Sequence, residues 1–268
     1  MKAGIYPIVV NANSSLRERG EVHIFLPDGG TNLRPYVIGI HGGGWQRGDQ
    51  TSFRFIWEEF SALKLGLVLV SYRLAPDHLF PCAYEDLKRC LSWLVDNGRN
   101  FGLDNSRCAL FGSSAGGHLA MLLATRGISE SMVSPTICGV AQYCGIMDMK
   151  SQCEFDHENG RSMVSSFLGS DCQRREEIFH LASPIHFVSS APSAWIAHGS
   201  ADPVVPVSQS RQMVRRLRET GSKVIYLEAE GLPHTMMESG PPDELAQPPQ
   251  LLFKQDLLRF LHRVLLTP

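Results

Sequence analysis

The sequence RCALFGSSAGG, residues 107–117, is the most informative segment of this chain for its fold. Residues 107–111 form a short apolar run that is typical of a buried strand. GSSAG at 112–116 then matches the pattern G-x-S-x-G, and a helix is predicted from 115 to about 125. The stretch therefore indicates a strand that turns sharply into a helix.

The sharp turn makes Ser114 the candidate nucleophile. A residue at such a turn has a strained backbone, and the small neighbours Gly112 and Gly116 let the chain close without clashes. The register of the pattern selects Ser114 and not Ser113, and the chain contains no other match to G-x-S-x-G. The following helix would direct its N-terminal N–H groups toward an oxyanion.

The rest of the chain alternates apolar strands with amphipathic helices. This alternation predicts an α/β fold with a mostly parallel sheet covered by helices on both faces. Residues 21–26, followed by the turn Pro-Asp-Gly-Gly, are typical of a hairpin strand. Other strands are predicted at 36–40, 67–72, 138–143, 194–197 and 223–229, and other helices at 52–65, 83–97, 207–220 and 250–264, the last after a Pro-rich connector at 241–250.

The segment 147–182 does not fit this alternation. It is polar and Ser-rich, and it predicts only short helical pieces. We expect a lid or inserted loop over the Ser114 turn, with a plain surface excursion as the open alternative. The length and composition of residues 1–268 fit a single α/β domain.

The motif HGGGW at 41–45 follows a buried strand. Consecutive glycines are costly in chain entropy, so they indicate a loop whose amides approach a ligand closely. The N–H groups of Gly43 and Gly44, together with that of Ala115, are the predicted oxyanion donors. We interpret His41 as a residue that holds this loop, with a role as base as the alternative, and expect Trp45 to bind substrate beside the pocket.

An acid and a base are expected after the nucleophile, in the chain order Ser, Asp or Glu, His. Asp202 follows the strand at 194–197, and His234 follows the strand at 223–229. Both would lie at the carboxyl edge of a parallel sheet, where ligands bind. His234 is the predicted base that activates Ser114, and Asp202 is predicted to orient the imidazole.

Other residues could fill these roles but are less well placed. His198 is interpreted as structural, because it lies only two positions after its strand. Asp148 follows a strand too early in the chain for the expected acid. The remaining alternatives are His157, His180 and His186 for the base, and Glu228 and Glu230 for the acid.

Composition excludes several classes of protein. With 25 Lys and Arg against 27 Asp and Glu, the net charge is −2, which argues against a nucleic-acid partner. No apolar run approaches the roughly 20 residues that cross a membrane. The seven cysteines form no C-x-x-C pair, so no metal site is expected. One disulfide bond among them is an open alternative. The N-terminus lacks a signal-peptide pattern, which favours the cytoplasm unless such a signal has been removed.

Together these motifs resemble the microbial carboxylesterases related to acetyl esterases and hormone-sensitive lipase. The resemblance runs from about residue 20 to 264, through HGGGW, SYRLAP (71–76), FPCAYEDLKRCLSWL (80–94), GSSAGG, HGSADPVVPV and PHTM. It implies an eight-stranded α/β-hydrolase fold with Ser114, Asp202 and His234 as triad. Only forty residues precede His41, so we expect the N-terminal cap of the lipase branch to be small or missing. The chain is more similar to shorter esterases of acetylated or feruloylated plant polysaccharides.

The resemblance implies a serine ester hydrolase that acts on short-chain acyl or aryl esters, including acetylated or feruloylated carbohydrate. Neither a metal nor an organic cofactor is expected, and the partner is a small-molecule or carbohydrate ester. Three alternatives stay open: an arylformamidase-like amidase with the same triad, a non-catalytic ligand-binding protein on this fold, and a peptidase.

Overall fold

A computed structural model describes residues 8–9, 21–27, 32–234 and 248–267. Within these residues, eight strands form one sheet in the order β1-β2-β4-β3-β5-β6-β7-β8. The strands are β1 (Ile8–Val9), β2 (Glu21–Phe25), β3 (Arg34–Ile40), β4 (Gly66–Val70), β5 (Leu103–Ser113), β6 (Ile137–Tyr143), β7 (Ser193–Gly199) and β8 (Val224–Ala229).

The strands from β3 to β8 are mutually parallel, as the alternation of strands and helices predicts. The central ones are continuous apolar runs because helices cover both faces of the sheet. The described helices are α1 (Trp57–Ala62), α2 (Cys82–Asn97), α3 (Ala115–Leu122), α4 (Met149–Glu158), α5 (Met163–Leu168), α6 (Glu176–Leu181), α7 (Ser208–Glu219) and α8 (Pro248–Leu266).

Two apolar cores lie on opposite faces of the sheet. On one face, alternate strand residues such as Ile38 and Leu110 pack with Leu91 of α2 and Leu217 of α7. On the other face, the intervening strand residues pack with α1 and α8. Successive side chains of a strand point to opposite faces, so one apolar strand supplies both cores.

Two predicted elements differ from the structure. Strand β2 forms as expected, but it does not form a hairpin with β3. It pairs antiparallel with β4 and with β1. Residues 28–31, most of the predicted turn, lie outside the described residues, as do residues 241–247 of the Pro-rich connector. The helix predicted at 52–65 is reduced to a 3₁₀ turn and α1, because Asp49 accepts from Thr51 in a turn and Phe53 packs on Phe111.

The segment 147–182 contains three helices, α4, α5 and α6, between β6 and β7. Helix α4 is longer than the short pieces expected, because Asp148 caps it by accepting from the N–H groups of Lys150 and Ser151. Within the described residues, β2 and α8 pack into the same sheet and cores as the elements between them. The assignment of a single domain and the role of 147–182 as a lid stay predictions.

None of the helices in the described ranges combines the length and apolarity needed to cross a bilayer. The loops that follow β3, β5, β7 and β8 all leave the same carboxyl edge of the sheet. These loops carry the residues that the sequence singles out.

Candidate active site

The turn between β5 and α3 holds Ser114 in a strained conformation. Its φ is 53° and its ψ is −122°, a region that residues with a side chain rarely adopt. A donated hydrogen bond from the Ser114 N–H to the carbonyl of Tyr143 (2.8 Å) and one from the His118 N–H to the Ser114 carbonyl (2.9 Å) hold this conformation. The strain fixes the direction of the Ser114 side chain.

Glycines let this turn close. A Cβ on Gly112 would clash with the carbonyl oxygen of Gly116, across the turn. A Cβ on Gly116 would clash with the carbonyl oxygen of Ile40, at the end of the neighbouring strand β3. Both glycines are therefore required by close backbone approach, and the loop after β3 lies directly against the Ser114 turn.

The 41–45 loop has an unusual run of left-handed backbone. Gly43, Gly44 and Trp45 have φ values of 101°, 62° and 59°. In the part of the chain that the structure describes, the N–H groups of Gly43, Gly44 and Ala115 donate to no protein acceptor. Three amides without a protein partner, beside a strained serine, can donate to a substrate oxygen.

The His41 ring lies against the loop that it begins. It stacks on the ring of Tyr72 at a centroid distance of 4.3 Å, and its Nδ1 lies 2.8 Å from the Gly42 carbonyl. The hydroxyl of Tyr72 donates to the carbonyl of His41 (2.9 Å). These contacts agree with a residue that holds the loop.

The predicted acid lies in the loop after β7. The Oδ1 of Asp202 accepts from the N–H groups of Val204 (2.8 Å) and Val205 (2.9 Å). Its Oδ2 lies 3.1 Å from Nε2 of His198 and 2.6 Å from Nδ1 of His234. The carboxylate, whose side chain is fully buried, is thus satisfied on both oxygens.

The His234 loop meets the Asp202 loop through backbone contact. A Cβ on Gly199 would lie 2.7 Å from the Pro233 carbonyl oxygen and even closer to that of Leu232. The Ala201 N–H donates to the Leu232 carbonyl (3.0 Å). The absence of a side chain at Gly199 therefore brings His234 within reach of the acid.

The structure brings Ser114, Asp202 and His234 into one hydrogen-bonded chain. Nε2 of His234 lies 3.1 Å from Oγ of Ser114, and Nδ1 of the same ring faces Asp202. Since Nδ1 donates to a carboxylate, the neutral ring presents an acceptor to the serine hydroxyl. This geometry can transfer a proton from Ser114 to His234.

The electrostatics of Asp202 keep it ionised. Burial acts to raise its pKa, but hydrogen bonds from His198 and then from His234 outweigh burial and hold the pKa well below its usual range. A carboxylate that stays charged can stabilise an imidazolium at His234.

Trp45 does not lie where a substrate-binding side chain was expected. Its indole is 0% exposed, stacks on Phe167 (4.4 Å) and donates to Nδ1 of His118 (3.1 Å). The left-handed backbone at Trp45 turns the ring into the core. The prediction that this side chain contacts substrate is therefore wrong for the conformation seen here, and Phe167 likewise belongs to the core.

The alternative acids and bases have other contacts. Asp148 caps α4. Glu228 pairs with Arg211, and the rings of His180 and His186 stack on each other at 4.3 Å. None of these contacts involves Ser114.

Two residues near the site were not assigned to it from sequence. His198 contacts Asp202 directly. The only sequence feature that points to this contact is its position four residues before Asp202. Cys144, which follows β6 with a φ of 44°, has its Sγ 3.9 Å from Nε2 of His234. No sequence pattern links Cys144 to the other site residues.

Two groups of side chains in the described residues have metal-ligand types at close range. One consists of Cys144, Asp202 and His234; the other, in the 147–182 segment, consists of Cys153, His157 and Cys172. The first group shares Asp202 and His234 with the hydrogen-bonded chain that ends at Ser114.

The comparison that decides the family covers most of the molecule. The BD-FAE family model matches residues 22–217, a span that includes Ser114 and Asp202 and ends before His234. The chain belongs to the BD-FAE family. Among curated proteins, this BD-FAE member is similar to two from Mycobacterium tuberculosis. Esterase LipC is 29% identical over a match that covers 76% of this chain and 53% of the relative. Esterase LipQ is 28% identical over a match that covers 71% of this chain and 47% of the relative.

This BD-FAE chain spans about half the length of those curated relatives. Among solved structures it is similar to a truncated form of a carbohydrate esterase from gut microbiota, with a TM-score of 0.78 and 21% identity. That match covers 97% of this chain and 95% of the other. The fold is accordingly the α/β-hydrolase fold, as the resemblance implies.

Proposed function

We propose that this chain is a serine carboxylesterase that hydrolyses short-chain acyl or aryl esters through an acyl-enzyme on Ser114. The observation that carries the proposal is the position of the His234 ring, with Nε2 3.1 Å from the Ser114 hydroxyl and Nδ1 2.6 Å from Asp202. Membership of the BD-FAE family and similarity to proteins named esterases support it.

In the first half of the reaction, Oγ of Ser114 attacks the ester carbonyl while Nε2 of His234 takes its proton. The N–H groups of Gly43, Gly44 and Ala115, which donate to no other described residue, donate to the carbonyl oxygen and stabilise its negative charge. Asp202 stabilises the imidazolium. When the carbon–oxygen bond breaks, His234 returns the proton to the leaving alcohol.

In the second half, His234 takes a proton from water, and the hydroxide attacks the acyl group on Ser114. As the tetrahedral intermediate collapses, His234 returns the proton to Oγ of Ser114, which releases the carboxylic acid and restores the serine and the neutral imidazole. The strained backbone at Ser114 keeps its oxygen in one position through both halves, so little reorganisation is needed.

The proposed substrates are acetylated or feruloylated carbohydrates. The similar solved structure named a carbohydrate esterase supports this class. The thioether of Met163 supports a short acyl group, because its Sδ would lie 3.0 Å from a Cβ on Gly44 and so narrows the space beside the proposed oxyanion donors.

Replacement of the nucleophile tests the proposal. Ser114→Ala should lower kcat for p-nitrophenyl acetate by at least about 10⁴-fold, while the circular dichroism spectrum is unchanged. Ser113→Ala, at the preceding buried position, is the matched control and should keep most of the activity. Activity retained in Ser114→Ala would reject the proposed nucleophile.

The leaving group is tested with a substrate panel. The panel separates an esterase from an amidase with the same triad. An esterase should turn over acetyl-sugar, feruloyl and p-nitrophenyl esters with higher kcat/KM than N-formylkynurenine. A preference for the formyl amide would favour the arylformamidase-like alternative.

A further inference from the structure

A second group of reactive side chains lies outside the proposed catalytic site. Cys153 and His157 lie one turn apart on α4 and therefore on the same helix face. Cys172, in the loop between α5 and α6, comes to the same place. The three ligand atoms lie within 4.8 Å of one another.

We propose that Cys153, His157 and Cys172 bind a zinc ion, with the carboxylate of Asp171 as the fourth ligand. Two thiolates, an imidazole and a carboxylate are donors that zinc binds, whereas magnesium and calcium prefer oxygen alone. The proposal concerns the structure of the 147–182 segment and does not depend on the esterase activity.

Three separations between the donor atoms suit a tetrahedral ion, and Sγ of Cys153 lies within 4.8 Å of the ligand atoms of His157 and Cys172. Zinc–sulfur and zinc–nitrogen bonds of about 2.3 and 2.0 Å place neighbouring ligand atoms roughly 3.3–3.8 Å apart. Sγ of Cys172 lies 3.5 Å from Nδ1 of His157 and 3.3 Å from Oδ1 of Asp171. Nδ1 of His157 lies 3.8 Å from the same Asp171 oxygen.

Burial gives the cluster an inner and an outer side. Cys153 is fully buried and Cys172 nearly so, whereas the side chains of His157 and Asp171 are exposed. The exposed pair gives an ion a path from solvent, and the buried pair excludes water from its inner side. The hydroxyl of Ser165 lies 3.4 Å from Sγ of Cys153 and 3.3 Å from Nε2 of His157, beside the ligands.

A zinc ion at this position would join α4 to the loop after α5. Helix α5 contacts the proposed oxyanion loop through two side chains, since Met163 packs at Gly44 and Phe167 stacks on Trp45. The ion would therefore brace the segment that supports this loop, as structural zinc sites do.

The test measures zinc binding by the reduced, chelator-treated full chain, in competition with a chromophoric chelator. The wild type should bind one zinc per chain, and cobalt in its place should show thiolate-to-metal charge-transfer absorption. His157→Gln, which changes an exposed side chain, and Cys172→Ser should each weaken binding by at least about 100-fold. Cys82→Ser, a partly exposed cysteine elsewhere, should bind as the wild type does.

Three results would overturn the proposal. The first is a wild type that binds no zinc. The second is binding that survives His157→Gln and Cys172→Ser but is lost in Cys144→Ser, which would assign the ion to the cluster at His234. The third is a Cys153–Cys172 disulfide, seen as loss of two hydrogens in the intact mass of a metal-free chain that cannot bind zinc after reduction.

Discussion

At the scale of single residues, the candidate site depends on one carboxylate that accepts hydrogen bonds from the backbone and from two histidine rings. Asp202 accepts from backbone N–H groups, from the ring of His234 and from the ring of His198. His198 is itself held through Nδ1 by the hydroxyl of Ser210 at 2.8 Å. His198 contacts Asp202 and not Ser114, so we expect it to act by positioning the carboxylate.

Replacing His198 should impair turnover more than binding. His198→Gln removes a buried hydrogen bond to a charged group, which is worth about 1.5 kcal/mol and predicts a kcat on the order of tenfold lower. KM for p-nitrophenyl acetate should change little, because His198 contacts no substrate. His186→Gln, at an exposed histidine whose ring stacks on His180, is the control. An equal loss in both variants would contradict the positioning role.

His118 should make the fold sensitive to mild acid. Burial lowers its pKa from 6.5 to about 4, and it is neutral while it accepts from Trp45. The unfolded chain binds a proton below about pH 6.5 and the folded chain only below about pH 4, so the stability due to the neutral ring is full above pH 6.5 and falls as the pH drops through this window. The loss is on the order of 3 kcal/mol.

Urea unfolding of the wild type and His118→Gln at several pH values measures this loss. The variant cannot take up the proton, so its free energy of unfolding should fall less between pH 6.5 and 4. Parallel pH profiles for the two proteins would contradict a buried neutral His118.

At the scale of elements, helix α5 packs against the 41–45 loop. Met163 of α5 packs at Gly44, and its side chain is only partly buried. The space beside the proposed oxyanion donors is therefore set by an element of the 147–182 segment. The role of that segment as a lid stays a prediction.

Shortening Met163 should change the preferred acyl chain. Met163→Ala removes the thioether next to Gly44 and should raise kcat/KM for p-nitrophenyl butyrate and hexanoate relative to the acetate by roughly tenfold, as one to two buried methylenes gain space. Met132→Ala, a partly buried methionine outside the site, is the control. An unchanged order of preference would place the acyl group elsewhere.

At the scale of the whole molecule, the two cores share one sheet. Trp45 belongs to the core on one face and Trp195 to the core on the other. Because each strand supplies both cores, we expect the chain to unfold as a single domain.

Unfolding in urea tests this expectation. Fluorescence of Trp45→Phe and Trp195→Phe variants, each lacking one of these reporters, should give the same midpoint as circular dichroism recorded on the same sample. Midpoints that differ between the probes of one variant would show that the two faces unfold separately.

Much of this architecture could be predicted because tight turns restrict the residue types that they accept. GSSAG and HGGGW predict their loops since Gly112, Gly116 and Gly43 are required by backbone contact or positive φ. The burial of Trp45 could not be predicted, because it depends on a left-handed backbone and on Phe167, far along the chain. The same is true of Cys172, which lies beside Cys153 and His157 in the fold although no spacing pattern links the three.

Covalent labelling of the nucleophile tests whether Ser114 forms the acyl-enzyme. The chain is treated with a p-nitrophenyl alkylphosphonate, and the modified residue is located by peptide mass spectrometry while hydrolysis of p-nitrophenyl acetate is followed. We expect one phosphonyl group per chain, on Ser114, and loss of activity in proportion to labelling. A label on any other residue, or full activity in the chain labelled at Ser114, would contradict this expectation.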